Sequence, residues 1–189
     1  MTTAFRFTSR DLECFPEIEG VRYEIIDGEL YVSRAPQFLH QSACGQVYSA
    51  LYPWSERTGI GMPVLTPGLV FSEDNDVIPD LVWITRGRLA EVLDDKGHFR
   101  AAPELVVEVL SPGRANELRD RQLKLDLYSR QGVHEYWMVD WQRKVMEVYR
   151  QGGNGLQLAA TLRNGDILTS PLLPGFSCQV ARFWQPLLR

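Results

Sequence analysis

The stretch PELVVEVLSP, residues 103–112, is an apolar run with a carboxylate near its centre. Read as a strand, it points Leu105, Val107 and Val109 to one face and Glu104, Val106, Glu108 and Leu110 to the other. A run this dense predicts a strand covered on both faces, one that lies inside a layered domain. Glu108 then stands in the interior. An unpaired buried carboxylate costs on the order of several kcal/mol, comparable to the whole stability of a small domain. A basic partner, a raised pKa or a metal ion must compensate it.

The segments around this strand supply the rest of a mixed layer. Upstream, Thr8 or Ser9 caps a short helix that Pro16 stops, and VRYEIIDGELYVS (21–33) reads as a hairpin around Asp27-Gly28. Residues 38–57 have helical spacing with Gly59 just past the end, and Pro53 is placed to shorten or kink that helix. A turn at Pro67-Gly68 is followed by a strand from Ile78 to Thr85, then by a charged loop with a short helix. Downstream, residues 116–131 read as a helix with Asn116 as cap and Gly132 as stop. Two strands follow, with a turn near Asp140 to Arg143. Shorter strands come after the GGNG turn, and ARFWQPLL reads as a closing helical turn. The order predicts an α/β (α+β) domain over 1–189: a central mixed sheet flanked by helices, with an N-terminal hairpin and C-terminal strands.

Composition limits the function classes. Hydrophobic residues make up 44% of the 189, enough for a sizeable core. A net charge of −4 excludes nucleic-acid binding by bulk charge, so any such binding needs a local basic patch. Cys14, Cys44 and Cys178 are far apart and form no CxxC or CxxH pair. That argues against a disulfide framework or a zinc knot and fits a reducing compartment. The first residues carry charge where a signal peptide needs an apolar stretch, and no apolar run approaches the ~20 residues of a membrane span. The expectation is a cytoplasmic protein with no membrane partner.

Three polar groups sit in apolar company: Asp80 after Pro79, Glu108, and Lys124 between Leu127 and Tyr128 on the helix, one turn after Asp120. Two carboxylates on neighbouring strands, with a strand carbonyl beside Glu108 such as that of Val109, suit a hard divalent cation such as Mg²⁺, with Mn²⁺ as a substitute. Such an ion activates water and neutralises a phosphate oxygen, and a lysine orients that water or stabilises the transition state. Glu24, in YEII, and Asp120 are further candidates for the same site.

These residues also carry a resemblance. PD at 79–80, ELVVEVLSP at 104–112 and RDRQLKLDLYSRQGVHEYWMVD at 119–140 resemble the PD-(D/E)XK nuclease superfamily, and more closely its Uma-two branch of restriction-endonuclease-like proteins. RYEIIDGELYVS and LLPGFSCQV are similar to the two ends of that branch, so the likeness spans nearly the whole chain. It implies a restriction-endonuclease-like core and a Mg²⁺-dependent endonuclease that hydrolyses phosphodiester bonds of nucleic acid, with double-stranded DNA the expected substrate. Asp80 and Glu108 would hold the metal and Lys124 would assist. The chain departs from the pattern in one place: the lysine expected two residues after Glu108 is Leu110 here, and Lys124 stands in from the following helix.

Plainer readings exist for each residue. Asp80 alone suits a turn cap, Glu108 suits an ion pair with Arg119 or Arg121, and Lys124 suits a side chain that snorkels along the helix. His40 opens the first long helix, where it can lie near the site, but with no HxxxH or HxH pair His40, His98 and His134 all read better as surface or core residues. Arg86, Arg88, Arg100, Arg114, Arg119 and Arg121 flank the proposed site as candidate phosphate contacts. An apolar C-terminus and an open sheet edge suggest a homodimer. The competing functional class is a nuclease fold kept as a non-catalytic DNA-binding or assembly module.

Overall fold

A computed structural model describes residues 5–185. Helix α1 (Ser9–Leu12) opens with a capping box, in which Thr8 and Asp11 each bond the other's backbone. Strands β1 (Val21–Ile26) and β2 (Glu29–Arg34) form the expected hairpin. Asp27 and Gly28 hold φ of 50° and 76°, the two left-handed residues that a tight hairpin turn requires. Helix α2 (Phe38–Thr58) runs through Pro53 and stops at Gly59, whose φ of 67° is the left-handed cap. Strands β3 (Gly61–Leu65), β4 (Leu69–Ser72), β5 (Asn75–Val77) and β6 (Leu81–Thr85) follow, then α3 (Arg86–Val92) and β7 (Leu105–Val109).

The next helix comes in three pieces: α4 (Arg114–Leu118), a π-helical segment (Arg119–Leu123) and α5 (Lys124–Arg130). The chain continues through β8 (Glu135–Asp140), β9 (Val145–Gly152), β10 (Gly155–Leu162), β11 (Ile167–Leu168), β12 (Cys178–Gln179) and a 3-10 turn, Val180–Trp184.

The central sheet has the order β10-β9-β8-β7-β6-β3, with β7 and β8 parallel and the other pairs antiparallel. β7 lies inside it and all five of its residues are buried. Leu105, Val107 and Val109 pack on one face with Trp137, Trp83 and α2 residues such as Ala43 and Leu51. Val106 and Leu110 pack on the other with Leu127, Tyr128, Val133 and Tyr136. The alternation read from 103–112 is the alternation of the two cores. Each large apolar side chain so enclosed contributes roughly 1.5–3 kcal/mol relative to exposure.

Several details differ from the sequence reading. The N-terminal hairpin does not join the central sheet. It belongs to a second, four-stranded sheet ordered β2-β1-β5-β4, because β5, too short to be read from the sequence, pairs with β1. The strand expected from Ile78 begins at Leu81, since Pro79 has no N–H for a ladder. The helix expected from Asn116 begins at Arg114, with Gly113 as cap; the Asn116 side chain bonds the Pro112 carbonyl instead. The apolar C-terminal segment is used internally. Val180 and Phe183 are buried in the core, while Pro186 to Leu188 lie outside the described residues.

Candidate active site

Asp80 and Glu108 meet through strand register. Leu81 pairs with Val107 in the antiparallel β6–β7 ladder, so one step further along Asp80 stands opposite Glu108. The ladder ends there, and the Val109 N–H turns to Asp80, donating to Oδ2 at 2.9 Å. The amide and carbonyl of one strand residue point to the same side, so the Val109 carbonyl also faces Asp80. On the opposite side, Leu110 bonds across to Val139.

Lys124 arrives from the helix above. Its Nζ lies 2.8 Å from Glu108 Oε1 and 2.8 Å from Glu24 Oε1. Tyr128, one turn on, donates to the same Glu108 oxygen at 2.9 Å. The lysine is 1% exposed, and three carboxylates surround its charge. Asp120 and Arg119 sit on the π-helical segment, with Arg119 Nε donating to Asp120 Oδ1 at 2.9 Å. All these groups except Tyr128 line one cleft of about 350 Å³, together with Arg22, Arg34, His40 and Asn116.

Hydrogen-bond accounting separates these acids from the others inside the protein. Glu104, Glu135 and Asp140 are also buried, and both oxygens of each accept hydrogen bonds: from Thr85 and Arg88, from Trp137, Arg150 and Ser170, and from Arg121 and Arg143. They are structural anions. Among the described residues, Asp80 Oδ1, Glu108 Oε2, Glu24 Oε2 and Asp120 Oδ2 accept none; Arg22 stands 3.7 Å from the first and Arg119 3.7 Å from the third. Four acids thus face one cleft, each with an oxygen to spare.

The electrostatics follow from this crowding. Burial, reinforced by Asp80, Asp120 and Glu24 and opposed by Lys124, raises Glu108 to about 8. Burial would raise Asp80 too, but His40, the Val109 amide and Lys124 outweigh it and hold that carboxyl below its ordinary range. Burial disfavours charge on Lys124, yet Glu108, Glu24 and Asp120 hold its pKa above the usual value. A cation beside Glu108 would oppose the same rise.

The expected residues Asp80, Glu108, Val109 and Lys124 converge, as do Glu24 and Asp120. The arginines only partly do. Of the six named from sequence, only Arg119 lines the cleft. Arg86, Arg88, Arg100 and Arg121 are held by Glu56, Glu104, Asp94 and Glu147. Their places are taken by Arg22 and Arg34 from the hairpin. Arg22 shares a strand face with Glu24 two residues on, a signal present in the sequence. The partner of Glu108 is Lys124, not Arg119 or Arg121. His40 is a core residue at the edge of the cleft: Nε2 lies 3.2 Å from Asp80 Oδ2 and Nδ1 3.6 Å from Cys44 Sγ. The signal for that pair was the four-residue spacing on one helix.

A family model described as "Putative restriction endonuclease", Uma2, matches residues 10–181. The chain belongs to the Uma2 family. Among solved structures, the Uma2 chain is similar to a "putative nuclease belonging to DUF820" from Anabaena variabilis ATCC 29413. The TM-score is 0.74 at 17% identity, with 94% of this chain and 97% of that one covered, which establishes a shared fold. No curated protein matches the Uma2 chain in sequence. No helix among the described residues is long and apolar enough to cross a membrane. Family and fold make this a nuclease-like protein.

Proposed function

We propose that the protein is a Mg²⁺-dependent endonuclease, with Mn²⁺ as a substitute, that hydrolyses phosphodiester bonds of double-stranded DNA. The uneven use of carboxylate oxygens supports this reading. Structural acids in the same interior have both oxygens occupied, whereas Asp80 and Glu108 each leave one open to the cleft. All-oxygen donors suit a hard cation that keeps part of its water shell. Asp80 Oδ1, Glu108 Oε2 and the Val109 carbonyl would hold it. When bound, the ion would supply Lewis acidity to a phosphate oxygen and lower the pKa of its water.

The chain's own groups do the rest. His40 and the Val109 amide fix Asp80 through Oδ2. Tyr128 and Lys124 fix Glu108 through Oε1. Lys124, held charged, places a compact ammonium where negative charge grows on the phosphorus oxygens. Arg22 and Arg34 meet the flanking phosphates at the cleft mouth.

Calorimetric titration with Mn²⁺ and cleavage of plasmid DNA test this together. Asp80→Ala and Glu108→Gln should each lose metal binding and cleavage while keeping the fold. Nucleic-acid binding that is indifferent to metal, with no cleavage, would instead favour a non-catalytic DNA-binding module.

A further inference from the structure

We infer that His40, Cys44 and Asp80 form a second site, sharing Asp80 with the first, for a thiophilic divalent cation of the zinc class. His40 and Cys44 lie one turn apart on the same face of α2, and Asp80 meets them from the start of β6. All three are buried, and one ligand atom from each lies within 4.8 Å of the others. An imidazole nitrogen, a sulfur and a carboxylate oxygen make a donor set unlike the all-oxygen one beside it. Thiolate favours zinc-class ions over magnesium.

The spacing fits. Zinc holds a thiolate at about 2.3 Å and an imidazole nitrogen at about 2.0 Å, so a tetrahedral angle between them puts the two donors roughly 3.5 Å apart. Cys44 Sγ and His40 Nδ1 are 3.6 Å apart. Without metal the three groups form a chain, the thiol facing Nδ1 and Nε2 facing Asp80 Oδ2 at 3.2 Å. On binding, the S–H bond gives way to sulfur–metal coordination and the proton passes to solvent. The carboxylate shifts from the imidazole edge to the ion. Three protein ligands leave a fourth position, and it opens to the cleft, because His40 and Asp80 both line it. Among the described residues no other such group of three occurs.

The site stands on its own donors. Its consequence rests on the magnesium reading: Asp80 serves both sets, so a zinc-class ion would withdraw it from the other and inhibit.

Cobalt(II) is the probe, since a thiolate ligand gives it a charge-transfer band in the near ultraviolet. The wild type should show the band at one equivalent, and zinc should abolish it. Cys44→Ser should lack it, whereas Cys14→Ser and Glu108→Gln should keep it; the last separates this site from the magnesium one. No band in the wild type, or a band that survives in Cys44→Ser, would overturn the proposal. Melting gives a reading independent of the colour. Zinc should raise the melting temperature of the wild type and leave Cys44→Ala and His40→Ala unmoved, and equal shifts in all three would also overturn it.

Discussion

Glu108 is buried among like charges, and its raised pKa becomes a pH dependence. Its folded value of about 8 lies above the ordinary 4.5. The folded state therefore binds more protons than the unfolded state across that interval. Stability present below the ordinary value is lost as pH rises towards 8, at a steepest slope of about 1.4 kcal/mol per unit. Urea unfolding of the metal-free protein from pH 5 to 8 should show this decline, and Glu108→Gln should flatten it. Lys124 works in the opposite sense. Lys124→Met strands buried carboxylates without their cation and should cost about 3–5 kcal/mol at neutral pH. In the proposed reaction, Lys124→Ala should cut about a hundredfold or more slowly while still binding Mn²⁺. Single-turnover cleavage alongside calorimetry separates the two effects.

Among the elements, the π-helical segment Arg119–Leu123 gives the site its shape. The extra residue in that turn lets Asp120 and Lys124 face one cleft while Leu127 and Tyr128 stay in the core. It also lets Tyr136 bond the Asp120 carbonyl at 3.0 Å. Such turns recur at functional sites. Deleting the exposed Gln122 should restore an α-turn and swing Arg119 and Asp120 away from Lys124. The far-UV spectrum should be kept and cleavage should fall about a hundredfold, the cost of a misplacement of about 1 Å. No sequence pattern announced this segment, since the apolar spacing of 118–128 is compatible with a plain helix. What could be read was whatever one period governs: the faces of residues 103–112, the Asp27-Gly28 hairpin, and the run of α2 up to Gly59. What could not be read was whatever depends on distant pairing. The four-stranded sheet needed β5 to find β1, and the cleft cations were the hairpin's Arg22 and Arg34, which no local rule sets beside residue 80. The four-residue spacing of His40 and Cys44 was legible, but not that Asp80 would meet them.

The whole molecule carries a net charge of −4, and the arginines that line its cleft are Arg22, Arg34 and Arg119. Nucleic-acid affinity should therefore rest on few phosphates. Counting Arg22, Arg34 and at most Arg119, the slope of log affinity against log salt should, in the proposed function, be about −2 to −3 on duplex DNA. Arg34→Ala should reduce that slope by about one and weaken all sequences alike. Fluorescence anisotropy over a salt series measures both.

The parallel pairing of β7 with β8 has a consequence for how the protein comes into being. Parallel neighbours need a long crossover, and here it spans the turn after Val109 and the whole helical stretch that carries Arg119, Asp120 and Lys124. Glu24 and Lys124, about a hundred residues apart in the chain, touch only once that crossover has closed. During synthesis the hairpin and α2 leave the ribosome long before their partners exist, and contacts of such separation form late because loop closure must come first. A half-made chain displays its acids one at a time in open water, each with an ordinary affinity for ions. The cleft closes only when translation has passed β8, so in the proposed function a truncated or stalled product should lack the site.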